Sequence, residues 1–170
     1  YPAPLLYERS RSTTEPSKRH RKDGPTLAEL SKKYIAEGKA GGTWREVSTF
    51  EVERALRDLF ELMGDMPAEA FDAKQARLLK ERLSRCPQYF ALLPEFKGRT
   101  LLQVVESGGT YKTITAVTVN NRLRKLSAFL NWCKSNGYVV ENPLVGMKVM
   151  TGSAKDARVS FEQRDLTTLL

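Results

Sequence analysis

The sequence predicts an all-α domain, a compact bundle of four to five helices. Three observations carry that prediction. Apolar residues recur at spacings of three and four in several windows, the period of a helix with one buried face. Most of these windows open on a Thr, Asp or Ser able to cap a helix and close on Gly or Pro. Strand-like composition is confined to Thr113–Val119, and an isolated strand has nothing to pair with.

Residues 1–25 hold Pro2, Pro4, Pro16 and Pro25 and no periodicity, so they read as a flexible arm. The arm is basic at Lys18-Arg19-His20-Arg21-Lys22, a cluster suited to phosphate contact. The first helix begins after Thr26, whose spacing to Glu29 is that of a capping box. Leu27, Leu30 and Tyr34 share one face, and Gly38, Gly41 and Gly42 are expected to stop the helix. A second helix, about 45–63, places Val52, Leu56, Leu59 and Met63 on an inward stripe, with Arg54 and Arg57 pointing away. Gly64-Asp65-Met66-Pro67 forms a turn. Asp72 and Gln75 open a third helix, buried through Ala76, Leu79 and Leu83 and ended by Cys86-Pro87. Residues 87–115 read as a surface excursion holding a short helix over 100–106. The last long helix is expected over 119–135, with Thr118 as its cap. Val119, Leu123, Leu126, Leu130 and Cys133 form its buried seam, and Gly137 its stop. Residues 151–157 read as a linker, and Ser160 and Gln163 open a further helix that the end of the chain cuts short.

The 170 residues contain 28 Lys and Arg against 20 Asp and Glu, a formal charge of +8, which favours a polyanionic partner. Two cysteines, Cys86 and Cys133, stand far apart, and His20 is the single histidine. That excludes a disulfide framework and a Cys/His zinc site, makes a His-based triad in a folded core untenable, and suits a reducing cytoplasm. No Gly-rich phosphate loop or nucleophile–base pair is present, so the chain implies no metal, cofactor or catalytic residue of its own. No apolar run is long enough for a membrane span. The start at Tyr1 and the end at Leu169-Leu170 look like cuts in a longer protein.

Between Glu106 and Glu141 there is no acidic residue, yet Lys112, Arg122, Arg124, Lys125 and Lys134 lie there. On a helical wheel Asn120, Arg124, Ser127 and Asn131 fall away from the seam, flanked by Asn121 and Lys125. Arg and Lys meet phosphate, and Asn and Arg pair bidentately with adenine and guanine. Thr118 adds a hydroxyl at the helix start, and Lys112 and Thr113 extend the donor-rich surface.

Taken together, Trp44-Arg45, Thr49, Arg54-Ala-Leu-Arg57, Gly64-Asp65-Met66-Pro67, Thr118-Val-Asn-Asn-Arg-Leu-Arg-Lys-Leu126, Phe129-Leu-Asn-Trp132 and Glu141-Asn142-Pro143 resemble the N-terminal core-binding domain of tyrosine recombinases, the phage-integrase family. The resemblance covers most of 26–170. It implies a SAM-like helical domain over 26–150 that forms half of a clamp around double-stranded DNA, a core recombination site, with the second and last helices toward the major groove. It further implies a linker and the truncated start of a catalytic domain over 151–170, with Lys148, Lys155 and Arg158 near phosphate. The family's nucleophilic tyrosine and its activating residues belong beyond Leu170, so this piece binds and does no chemistry. The whole enzyme would cut and rejoin DNA as a tetramer; the piece would be a monomer in a bacterial or phage-derived cytoplasm, at the nucleoid when bound. The candidate DNA-binding residues are therefore Arg45, Thr49, Arg54, Arg57, Lys112, Thr113, Thr118, Asn120, Asn121, Arg124, Lys125, Lys148, Lys155 and Arg158. The competing reading is a helical protein-interaction module, which needs an exposed apolar groove or patch.

Overall fold

A computed structural model describes residues 24–42 and 44–151. Among them are five α-helices: α1 (Leu27–Ala40), α2 (Glu46–Met63), α3 (Ala73–Ser84), α4 (Leu101–Ser107) and α5 (Ala116–Ser135). Single 3-10 turns lie at Ala68–Ala70 and Pro94–Phe96, and the only extended pairings among the described residues are the isolated bridges Thr26–Pro67 and Pro87–Thr113. The architecture is all-helical, as expected. The expected arm, apart from Gly24 and Pro25, and the expected linker beyond Thr151 lie outside the described residues, as do Lys155 and Arg158.

α2 is the central helix, packed against α1, α3, α4 and α5; α5 crosses α1, α2 and α3. The spacing explains the arrangement. Val52, Ala55, Leu56, Leu59 and Leu62 of α2 and Val119, Leu123, Leu126, Phe129, Leu130 and Cys133 of α5 all fall on buried stripes. Leu27 and Leu30 of α1 and Ala76, Leu79 and Leu83 of α3 complete the core, each without solvent contact. Complete burial of one Leu contributes roughly 1.5–3 kcal/mol, so these side chains dominate the packing.

The start of α1 is closed by two sources at once. Thr26 and Glu29 form the capping box, with Thr26 N donating to Glu29 Oε2 at 3.1 Å and Glu29 N to Thr26 Oγ1 at 3.3 Å. The turn after α2 supplies the rest: Leu27 N donates to the Met66 carbonyl at 2.9 Å, and Ala28 N to Asp65 Oδ1 at 2.9 Å. The first-turn amides, which no helix can satisfy internally, are thereby paired. Gly64 makes that turn possible, its φ of 73° being strained for any residue with a side chain.

Four local expectations are corrected. Gly38 does not stop α1 but lies inside it, where the Trp44 ring occupies the place of a Cβ. Thr118 is not the cap of α5; Thr115 is, accepting from Thr118 N at 3.2 Å, so the helix starts one turn earlier. Residues 116–119 of the β-prone stretch are accordingly helical; only Thr113 makes a bridge, because the capping hydroxyl outweighs β propensity at Val117 and Val119. Finally, 87–115 is no mere surface excursion. Leu101, Val104 and Val105 of α4 are buried, and α4 packs on α2.

Arg82 joins these parts. Its guanidinium donates to the Leu62 carbonyl at the end of α2 and, at 2.7 Å, to Glu106 of α4. A cation at this C-terminus is favoured by the carbonyl dipoles.

Candidate nucleic-acid interface

Charge is unevenly divided along the described chain. Residues 24–72 carry 6 Lys and Arg against 10 Asp and Glu, whereas 73–151 carry 13 against 4. The part of the described chain from α3 to α5 is therefore the more cationic. Folding then changes which cations are available. The acids absent between Glu106 and Glu141 are supplied from α2. Glu51 pairs with Lys125 at 3.0 Å, and Asp58 is in ion-pair contact with Arg122. On the far side of α2, Glu53 pairs with Lys39 at 2.9 Å. Three of the five α2 acids are thus neutralised by neighbouring helices.

The Glu51–Lys125 and Asp58–Arg122 pairs run in opposite chain directions, so α2 and α5 are antiparallel across this seam. They also put the outer stripes of the two helices side by side on one face. On α2 that stripe holds exposed Arg54 and Arg57, outside any ion pair although both act on the Asp58 carboxyl from a distance; on α5 it holds exposed Asn121 and Arg124, with Arg124 donating to Asn121 Oδ1 at 3.0 Å. These four candidates are brought together.

The remaining candidates are placed otherwise. Lys125 borders the face but is held by Glu51. Asn120 is committed: its side-chain amide donates to the Val149 carbonyl at 2.9 Å and accepts from Val149 N at 2.7 Å. Ser127 and Asn131, expected beside it, are engaged by buried Asn142, whose Nδ2 donates to the Ser127 carbonyl at 2.9 Å and to Asn131 Oδ1 at 2.8 Å. Residues 142–149 therefore cover the flank of α5 assigned to DNA, and the open stripe is rotated toward Val117, Asn121, Arg124 and Ala128. Thr118 shares its hydroxyl with that of Thr115 at 3.0 Å. Thr49 donates back to the Arg45 carbonyl and lines an open depression with Lys39, Trp44, Glu46, Phe50 and Glu53, whose carboxylates suit no phosphate. Arg45 caps the start of α2 through its backbone and is exposed. Lys112 and Thr113 are exposed beside Gln88 and Pro87, at the 3-10 and α4 end of the chain. Lys148 is exposed next to the docked Val149.

Sequence reasoning missed Asp58 and Arg122 as a pair. Burial is the main influence on Asp58 and raises its carboxyl above the ordinary value, opposed first by Arg122 and then by Arg54. Both cysteines are buried thiols, pushed up to about 12 by desolvation, which leaves them protonated and unreactive at neutral pH. Trp132 is fixed by its indole N–H to Glu37 at 2.9 Å and packs on Tyr34, so it is structural and not a base-stacking platform. No group of three or more metal-ligating side chains occurs among the described residues, and no described helix is long and apolar enough to cross a membrane. Set against models of known protein families, curated proteins and solved structures, the chain matches none.

Proposed function

We propose that this chain binds double-stranded DNA, as the core-binding domain of a tyrosine recombinase, through the joint outer face of α2 and α5. The observation that carries the reading is the pairing pattern. Glu51 and Asp58 are in ion pairs with α5, and Arg54, Arg57 and Arg124 stand exposed on one face outside any ion pair, Arg54 and Arg57 acting on Asp58 only from a distance. Guanidinium groups of this kind meet phosphate or guanine edges, and Asn121 beside Arg124 adds a donor and acceptor suited to adenine. Charge on 73–151 draws the duplex in, and the face positions it. Full recombinase activity, tetramer formation and the linker contacts of Lys148, Lys155 and Arg158 belong to the same proposal and rest on the family resemblance.

Fluorescence anisotropy with a random duplex of about 30 base pairs across a salt series tests it. The expected log–log slope is roughly −4 to −7, for about four to eight neutralised phosphates. Replacing Arg54, Arg57 and Arg124 together with Ala is expected to lower affinity and flatten the slope by about 3 without unfolding the chain. No binding at low salt, with helical circular dichroism intact, rejects DNA as the partner and favours a protein-interaction module. Binding unaffected by the triple substitution relocates the interface to another basic face.

A further inference from the structure

The face just described does not consist of charge alone. On α2 its stripe runs Val47, Phe50, Arg54, Arg57, at spacings of three, four and three, so all four side chains share one line. Val47 is 70% exposed and Phe50 57%, and exposed Glu61 bounds the line one turn beyond Arg57. The stripe of α5 has the same composition: Val117, 58% exposed, followed by Asn121 and Arg124. Because α2 and α5 are antiparallel, Val47 and Phe50 lie at one end of the shared face and Val117 at the other, with the arginines and Asn121 between them. Solitary exposed apolar residues are ordinary; three placed at the two ends of one cationic strip form a pattern.

We infer that Val47, Phe50 and Val117 make the face selective for sequence, by packing on the 5-methyl groups of thymines at the two ends of the contacted segment. This inference rests on the DNA-binding reading. Between the apolar ends the strip carries three arginines against the exposed carboxylate of Glu61, so its net charge is positive and its complement is a polyanion that also offers apolar groups. Duplex DNA meets both requirements in its major groove, where the thymine methyl is the apolar group on display. Val47 lies 11 residues before Asp58 and Val117 five before its partner Arg122 on the antiparallel helix, so the two ends stand about 24 Å apart along the helices, the length of about seven base-pair steps. Arg54, Arg57 and Arg124 then face phosphates or guanines in the middle, and the footprint has methyl-bearing pyrimidines outside them.

The test uses the 170-residue chain. High-affinity duplexes are selected from a random library, then remade with deoxyuridine in place of thymine, which removes the methyl and keeps pairing and charge. Burial of one methyl corresponds to about a fourfold change in affinity, so the uracil duplex is expected to bind the native chain roughly four- to fifteen-fold more weakly. Phe50→Ala and Val117→Ala are each expected to shrink that ratio while leaving the salt slope unchanged. Both sites are more than half exposed, and circular dichroism checks the fold of each variant. Equal binding of thymine and uracil duplexes by the native chain overturns the inference and leaves the DNA-binding reading standing. A ratio that survives both substitutions also overturns it, by placing methyl recognition elsewhere. Failure of the native chain to bind any duplex rejects the underlying reading. Sedimentation completes the test: self-association abolished by Phe50→Ala, without methyl discrimination, assigns the apolar ends to a contact between copies.

Discussion

Replacing Arg122 with Met tests the electrostatic seam between α2 and α5 most directly. The side chains of Arg122 and Asp58 are each 11% exposed, so little solvent screens them. Met preserves much of the length of the arginine stem and removes the charge. The buried carboxylate then loses its closest cation. Breaking one partner of a buried pair costs about 3–5 kcal/mol, because the other charge stays desolvated. For a chain of this size each kcal/mol shifts the midpoint by about 2–4 °C, so thermal unfolding at pH 7 is expected about 10 °C lower. The pH dependence carries the sharper prediction. Burial already holds the Asp58 carboxyl above its ordinary value. A raised acid binds its proton more tightly in the folded state, so this group's contribution to stability falls as pH rises from the ordinary carboxylate range through the raised value. Removing Arg122 raises it further and widens that window. The deficit of the Met variant is therefore expected to shrink on acidification, as the carboxyl takes up its proton and no longer needs a cation. Changing Asp58 to Leu as well is expected to restore most of the lost stability, since an apolar pair of similar volume often replaces a buried ion pair without loss. A loss below about 1 kcal/mol at pH 7, or one that does not shrink on acidification, refutes this account of the seam.

Two further predictions concern packing. Asn142→Ala removes the donor to Ser127 and Asn131 and the acceptor of Leu144 N, all in buried or half-buried surroundings. It is expected to cost about 2 kcal/mol and lower the calorimetric midpoint by roughly 5 °C, and an unchanged midpoint would show that 142–149 dock without it. Gly38→Ala would gain about 0.5–1 kcal/mol of helix propensity. Its Cβ, however, would stand 2.6 Å from the Trp44 ring, which is itself packed edge-on against Tyr34 at 4.9 Å between centroids. Overpacking of this sort costs about 1–3 kcal/mol, so a lower midpoint with altered tryptophan fluorescence is expected; a higher midpoint would mean that the ring moves aside freely.

The amino-acid order alone determined the helices and their inward faces, because those depend on residues one to four positions apart. Thr26 with Glu29 and Asp72 ahead of α3 each announced a start that the structure repeats, and the three-four spacing of Leu123, Leu126 and Leu130 announced the buried seam. Where two local signals compete, the expected one is wrong: Thr118 is the expected cap of α5, and Thr115 is the actual one, its hydroxyl accepting from Thr118 N. Availability of the functional side chains was not local at all. Arg122 and Lys125 find their acids on α2, Asn120 finds its backbone partner 29 residues downstream, and Asp65 caps a helix 37 residues before it. A wheel drawn on α5 alone shows which residues leave the seam, but not which neighbouring helix or returning strand of chain covers them. Tertiary structure decided that Asn120, Ser127 and Lys125 are engaged and that Arg54, Arg57, Asn121 and Arg124 stand exposed on one face outside any ion pair. The physical reason is that a charge or an amide is satisfied by whatever folding brings within about 3 Å, and that depends on how whole helices pack, not on any window of sequence.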